Sequence, residues 1–292
     1  MFDLAKTDTR VESLLEHWLS QATCGLPVQT ILDDHELLFS NRMAQPLIVA
    51  AELAVWEAIK LSIPTPALVA GYSIGEVASY GVAGALSADE TIGLAALRAR
   101  CMDAHAEASA RQSMMAVSGL RSTAIHELIT RHGLSISIEN GEDSLILGGR
   151  LDDLQAVEPL FAHMGGHTAA IPVAIASHTP LMLGAVAPFR EKLEHYSFTD
   201  FRSPVISGIL GELISTKEKA TMLLPRQIAE KINWAQCMDT CAEAGITVAL
   251  ELGPGGALSR MLRARHPEIE SRSVSDFRTL SGILKWLDRS LR

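Results

Sequence analysis

The sequence predicts an α/β protein in two parts: a mostly parallel sheet covered by helices on both faces, and a small ferredoxin-like domain inserted into it. Three observations carry that prediction. Strand-like and helical stretches alternate along the 292 residues, the pattern of a parallel sheet. A strand-like run, Pro66-Ala67-Leu68-Val69-Ala70, feeds through Gly71-Tyr72-Ser73-Ile74-Gly75-Glu76 into a helical stretch. From about residue 113 to 172 the order becomes β-α-β-β-α-β, that of a ferredoxin-like module.

The elements follow in order. Residues 10–20 and 43–61 read as helices, the second carrying Leu47, Ile48, Ala51, Leu53, Ala54 and Ile59 near helical spacing. Pro64 and Pro66 end it, and the strand into the turn follows. Gly81 and Gly84 break the next helix. Ser87-Ala88-Asp89-Glu90 has the form of a capping box and opens a helix to about Ala108 that contains Arg98 and Arg100. Met115–Ser118 reads as a strand, 122–132 as a helix, Leu134–Glu139 and Ser144–Leu147 as strands, 151–164 as a helix and His167–Ile175 as a strand. A helix follows His178, with Thr179 as cap and Pro180 at its first position. Ser203–Ile209 reads as a short strand, Pro225–Ile232 and Trp234–Ala244 as helices, Val248–Leu252 as a buried strand, and a helix runs from Ala257 to about Arg265. The expected organisation is a main domain of residues 1–112 and 173–292 with a small domain of residues 113–172.

Hydrophobic residues make up 48% of the chain and charged residues 20%, the balance of a globular protein with a sizeable core. A net charge of −9 lacks the basic stripe that a nucleic-acid surface needs. No apolar run approaches the length of a membrane span, and Met1-Phe2-Asp3-Leu4-Ala5 does not resemble a signal peptide. Cys24, Cys101, Cys237 and Cys241 show no metal-site spacing and read as buried reduced thiols, which suits the cytoplasm. No metal site is expected.

The turn around Ser73 has the form of a nucleophile elbow. Glycines two residues to either side allow a turn too sharp for bulkier neighbours, with the hydroxyl presented at the carboxyl end of a strand. The helix that follows offers unpaired N–H groups and a partial positive charge to a developing oxyanion. This makes the sheet α/β-hydrolase-like and acyl transfer through Ser73 the leading reading. A serine needs a base. Of ten histidines, His178 stands apart, because it follows the apolar run Ile171–Ala176 and precedes a helix start, at the rim where α/β folds gather functional groups.

These residues resemble the malonyl-CoA:acyl-carrier-protein transacylases and the related acyltransferase domains of polyketide synthases. The family elbow reads Gly-His-Ser-x-Gly-Glu, and Gly71–Glu76 matches it with Tyr72 in place of the histidine. Arg98-Ala99-Arg100-Cys101-Met102, Ser177-His178, Arg226-Gln227 through Asn233-Trp234, Glu251-Leu252-Gly253-Pro254-Gly255 and Gln45-Pro46 match further family segments in order. Within the family the chain looks most like the transacylase, or epsilon, subunit of bacterial malonate decarboxylase. The resemblance implies transfer of a malonyl group from malonyl-CoA to the phosphopantetheine-type thiol of an acyl carrier protein. It implies Ser73 as nucleophile, His178 as base, Arg98 (with Arg100 as the alternative) as the malonyl clamp, and Asn233 as the residue whose carbonyl orients the histidine. It implies no permanently bound cofactor, only malonyl-CoA as substrate.

Two departures stand out. Tyr72 lies where the family has a histidine beside the acyl group. The family's opening strand, ending in Gly-Gln-Gly-x-Gln, has no counterpart. Met1-Phe2-Asp3-Leu4 resembles the point just after it, so a core strand and half of the oxyanion hole are expected upstream, leaving the Ile74 N–H as one oxyanion donor. Two other readings stay open: an α/β serine hydrolase or thioesterase that passes the acyl group to water, and a truncated, non-catalytic relative that still docks a carrier protein. Arg263 and Arg265 are candidate docking cations.

Overall fold

A computed structural model describes residues 4–107 and 109–292. Met1–Asp3, at the junction with the family motif, and Ala108, the expected end of the long helix, lie outside the described residues.

The chain opens with α1 (Thr9–Ala22) and the short α2 (Val28–Asp33) and α3 (His35–Phe39), then the long α4 (Asn41–Ile59). Strand β1 (Val69–Ala70) leads into α5 (Ile74–Val82), and α6 (Ala88–Ala106) follows. The capping box at the start of α6 forms as the sequence predicts: Glu90 N–H donates to Ser87 Oγ, and Ser87 N–H donates to the Glu90 carboxylate. Helices α4, α5 and α6 share one apolar core, with Leu47, Leu53, Val77, Ile92 and Leu94 each at most 1% exposed. Each such side chain contributes roughly 1.5–3 kcal/mol of burial.

The small module then forms: β2 (Gln112–Ser118), α7 (Ser122–Arg131), β3 (Ser135–Gly141), β4 (Ser144–Arg150), α8 (Leu151–His163) and β5 (His167–Ile171). Its sheet is antiparallel in the order β3-β4-β2-β5, the ferredoxin-like arrangement. Strand β5 is shorter than expected. Pro172 follows it, and the Val173 N–H turns back to Ile171 O.

After His178 comes a 3-10 turn at Pro180–Met182 and then α9 (Leu183–Leu193). Thr179 does not cap it, because its hydroxyl donates to Ala176 O at 2.7 Å. Strands β6 (Val205–Ile206) and β7 (Leu213–Ile214), helices α10 (Lys217–Gln227) and α11 (Trp234–Glu243), strand β8 (Val248–Glu251), α12 (Ala257–Arg265), β9 (Glu270–Ser273) and α13 (Leu280–Ser290) complete the chain. Helix was expected to continue from 225 to 232, but α10 ends at Gln227. Ile232 instead bridges to Ile138 of the small sheet: its N–H donates to Ser137 O, and Glu139 N–H donates to its carbonyl, both at 2.9 Å. A helix through 232 would remove both bonds.

The main sheet is in two pieces. In one, β1 and β6 pair parallel and β7 is added antiparallel; in the other, β8 and β9 pair parallel. The outer edges of β1 and β8 both line a cavity of about 500 Å³ that also receives Trp56, Leu68 and Leu252. For that reason Val248–Leu252 is only half-buried, not buried as the sequence suggested. No described helix is long and apolar enough to cross a membrane.

Candidate active site

Ser73 occupies the position before α5 with φ 52° and ψ −111°, a conformation that persists only where its surroundings enforce it. Gly71 is what makes the turn possible. A Cβ there would lie 2.1 Å from the carbonyl of Gly75, so no side chain fits. Gly75 differs from the expectation, because a Cβ on it would meet only Glu52 Oε1 at 3.9 Å. The strand, the sharp turn and the helix leave Ser73 partly exposed, with the Ile74 N–H at the first turn of α5 finding no acceptor among the described residues. An unpaired N–H at a helix start is the kind of donor that an oxyanion can use.

His178, 105 residues further on, is 2% exposed and also has positive φ, at 62°. Its main-chain N–H donates to Ile228 O at 2.8 Å. Its Nε2 lies 2.8 Å from Ser73 Oγ, and its Nδ1 lies 2.5 Å from Gln227 O. A carbonyl can only accept, so Nδ1 carries the proton and Nε2 faces the serine as acceptor. Burial and then the charge of Arg98 bring the His178 pKa down to about 3, against the favourable bond to Gln227. The imidazole is therefore neutral across physiological pH, the form that can take a proton.

The carbonyl that orients His178 belongs to Gln227, not to Asn233. Asn233 precedes α11, and its carbonyl accepts from Cys237 N–H at 3.1 Å as the first acceptor of that helix. Its side chain donates to Ile209 O at 2.6 Å. Its main-chain carbonyl thus serves the start of α11 and its side-chain amide the local turn, while the bond to His178 Nδ1 is made by Gln227 O.

Arg98 lies 1% exposed on α6. It donates from Nη1 to Gln45 Oε1 at 2.7 Å and from Nη2 to Gln227 Oε1 at 2.9 Å, while Nε has no partner among the described residues. Burial lowers its pKa to about 10, with Glu76 acting the other way, so it stays charged near neutrality. Its remaining N–H groups form the planar fork that suits a carboxylate. Arg100, the alternative, is exposed on the same helix.

Glu76, on α5, is 1% exposed. Its Oε2 accepts from Gln227 Nε2 at 2.7 Å and from Gly208 N–H at 3.0 Å. Burial pushes its carboxyl up to about 7, opposed by those two bonds and by Arg98. Gln45, Glu76 and Gln227 are thus site residues beyond those the sequence singled out, although each lies inside a motif. Tyr72 donates to Asn140 Oδ1 at 3.1 Å and packs edge-on against Trp234 at 5.2 Å, linking the elbow to the small module.

The 500 Å³ cavity includes Gly71, Tyr72 and Gly75 in its wall but not Ser73, His178 or Arg98, so it lies outside the reacting groups. Among the described residues no cluster of three or more metal-ligating side chains occurs. Cys237 and Cys241 are buried free thiols, whereas Cys101 is half-buried and Cys24 exposed, contrary to the reading that all four are buried. Arg265 is held by a two-pronged pair to Asp239 at 2.6 and 2.7 Å, and Arg263 donates to Ser271 O. Both candidate docking cations are therefore engaged within the fold.

Comparison with known proteins agrees with this geometry. Residues 14–274 match the acyl transferase domain family. The chain is 30% identical over 230 residues to the polyketide synthase GfsA of Streptomyces halstedii, covering 78% of this chain and 3% of that much longer protein. It is 29% identical over 244 residues to a malonyl CoA-acyl carrier protein transacylase of Mycobacterium tuberculosis (strain ATCC 25618 / H37Rv), covering 82% of this chain and 80% of the relative. In fold it is similar to the malonyl-transacylase solved in complex with its type II PKS acyl-carrier protein (PlMCAT:AntF, holo), with a TM-score of 0.88, 22% identity, and 98% and 94% of the two chains covered. With an elbow serine, a neutral histidine at hydrogen-bonding distance and a match that spans most of its length, the chain belongs to the acyl transferase domain family.

Proposed function

We propose that this acyltransferase moves a malonyl group from malonyl-CoA to the phosphopantetheine-type thiol of an acyl carrier protein through a malonyl-Ser73 ester. The observation that carries the reading is the 2.8 Å contact between Ser73 Oγ and the unprotonated Nε2 of His178, with the cationic Arg98 joined to the same Gln227 that holds the base. Likeness to transacylases of that name supports the substrate and the carrier as partners.

In the first half-reaction His178 Nε2 takes the Ser73 proton as Oγ attacks the thioester carbonyl. The Ile74 N–H donates to the oxyanion, and removal of one such donor costs roughly 10²–10³ in rate. The C–S bond breaks, and the imidazolium returns its proton to the CoA sulfur. In the second half the carrier thiol gives its proton to His178 and attacks the ester carbonyl, and Ser73 leaves with that proton restored. Among the described residues no carboxylate partners His178; the Gln227 carbonyl steadies the imidazolium. A malonyl carboxylate on Arg98 cancels the positive charge that disfavours the imidazolium, so the substrate that fits the clamp also makes the base stronger.

The reading places the enzyme in the cytoplasm, with malonate decarboxylation as its setting. It also takes residues 113–172 as a small domain within a catalytic domain of 1–112 and 173–292. The test is incubation with malonyl-CoA, then with a carrier protein bearing the thiol arm. Malonyl on the carrier with little free malonate is expected. Rapid release of malonate would instead indicate a hydrolase, and an unmodified serine a non-catalytic relative.

A further inference from the structure

Gln227 is fully buried and turns its main-chain carbonyl and its whole side-chain amide to the site. Its main-chain carbonyl holds His178 Nδ1, and its side-chain Oε1 accepts from Arg98 Nη2 at 2.9 Å. One side-chain N–H donates to Ser73 O at 3.0 Å and the other to Glu76 Oε2 at 2.7 Å. Arg98 offers only donors, while Ser73 O and the carboxylate offer acceptors, so a single orientation of the amide satisfies all three side-chain bonds. Glu76 is fixed in turn by the Gly208 N–H at 3.0 Å. Gly208 is the residue that allows this, since a Cβ there would lie 2.8 Å from Glu76 Oε2.

We propose that Glu76 is a positioning residue: its carboxylate anchors the Gln227 side chain to the Gly208 turn, and through Gln227 it holds the base and the carboxylate clamp in one geometry. The inference rests on the reading of Ser73, His178 and Arg98 as the acylating machinery. Glu76 itself touches none of the reacting atoms. Without an acceptor at position 76, one N–H on Gln227 and another on Gly208 are buried without partners. Both segments then move to find partners, and a shift of about 1 Å in a catalytic group can cost on the order of 10² in rate.

The test compares Glu76→Gln, which keeps an acceptor oxygen, with Glu76→Met, which keeps the volume and removes the acceptor. Rates of Ser73 acylation are measured per folded chain with malonyl-CoA and with acetyl-CoA. Glu76→Gln should stay within about threefold of the wild type, and Glu76→Met should lose about 10- to 100-fold in kcat. The preference for malonyl over acetyl should fall in the same variant, because the clamp is displaced with the base. The double variant Glu76→Met with Gln227→Ala should be no slower than Gln227→Ala alone. Equal losses in the Gln and Met variants, or additive losses in the double variant, would overturn the proposal.

The wild-type protein gives a second measurement, independent of whether Glu76→Met folds or malonyl-CoA proves to be the substrate. The two Gln227 side-chain N–H signals in ¹⁵N NMR should exchange slowly with water and lie away from the shifts of a solvated glutamine amide. Rapid exchange at the shifts of a solvated amide would contradict the anchoring.

Discussion

Ser73 and His178 are the two proposed catalytic residues held at positive φ; Ser73 sits between β1 and α5, whereas His178 lies in a turn seven residues beyond the end of β5, just before the 3-10 turn at Pro180–Met182. The expense of that backbone is met by packing at single atoms, which makes it testable. Gly71→Ala should abolish the elbow, because its Cβ has no space against Gly75, and should cost the fold several degrees in Tm together with nearly all activity. Gly75→Ala should fold normally by circular dichroism, since its Cβ meets nothing closer than 3.9 Å. Arg98→Ala should lower acylation by malonyl-CoA about 10- to 100-fold more than acylation by neutral acyl-CoA, given about 1.5–3 kcal/mol per charge-assisted hydrogen bond. Competition between malonyl-CoA and acetyl-CoA measures that ratio directly. At this scale the strand, glycines and helix around Ser73 make it legible, whereas His178 is picked out by side-chain type and the helical start after it; the strand expected to reach it ends at Ile171. The orienting group is illegible for a physical reason. It is a main-chain carbonyl, which every residue carries, and only the fold decides that Gln227 rather than Asn233 turns it toward the imidazole.

Among the elements, α4 carries a group with a measurable signature. Glu52 is half-buried beside the cavity between β1 and β8, and one carboxylate oxygen has no partner among the described residues. Burial first, and the neighbouring Glu251 second, raise its pKa from 4.5 to about 8. Between those values the folded chain keeps a proton that the unfolded chain has released. Stability from this group is therefore present below about pH 4.5 and is lost as pH rises toward 8. Glu52→Gln removes the slope. Denaturant titrations should show the variant gaining on the wild type by about 1–3 kcal/mol between pH 5 and 8, and an unchanging difference would refute the assignment. Element boundaries were legible where capping chemistry marks them, as at Ser87 and Glu90 of α6. They were not legible where a tertiary bond ends the element, as at Ile232. Helix α13 is missing from the sequence reading although Leu280, Ile283, Leu284 and Leu287 give it an apolar stripe. Strands β7 and β9, of two and four residues, are too short to show any period.

For the molecule as a whole, the small module is joined to the main body through the active-site region. The Ile138–Ile232 bridge, the Tyr72–Asn140 bond and the Lys231–Glu139 ion pair all lie near the elbow or on the chain that continues from Gln227. The ferredoxin-like module was readable from the order of its elements alone. The division of the main sheet was not, because strand pairing across distant segments leaves no mark on local periodicity. Through these joints the two parts converge on a serine and a histidine more than a hundred residues apart, and the account stands on what that pair does. Brief exposure to malonyl-CoA, quenching in acid and peptide mapping by mass spectrometry test it most directly. The account predicts malonyl on the peptide containing Ser73 in the wild type, none in Ser73→Ala, and formation slowed by about 10²–10⁴ in His178→Ala. Labelling at another residue, or labelling of Ser73 at an undiminished rate without His178, would contradict it.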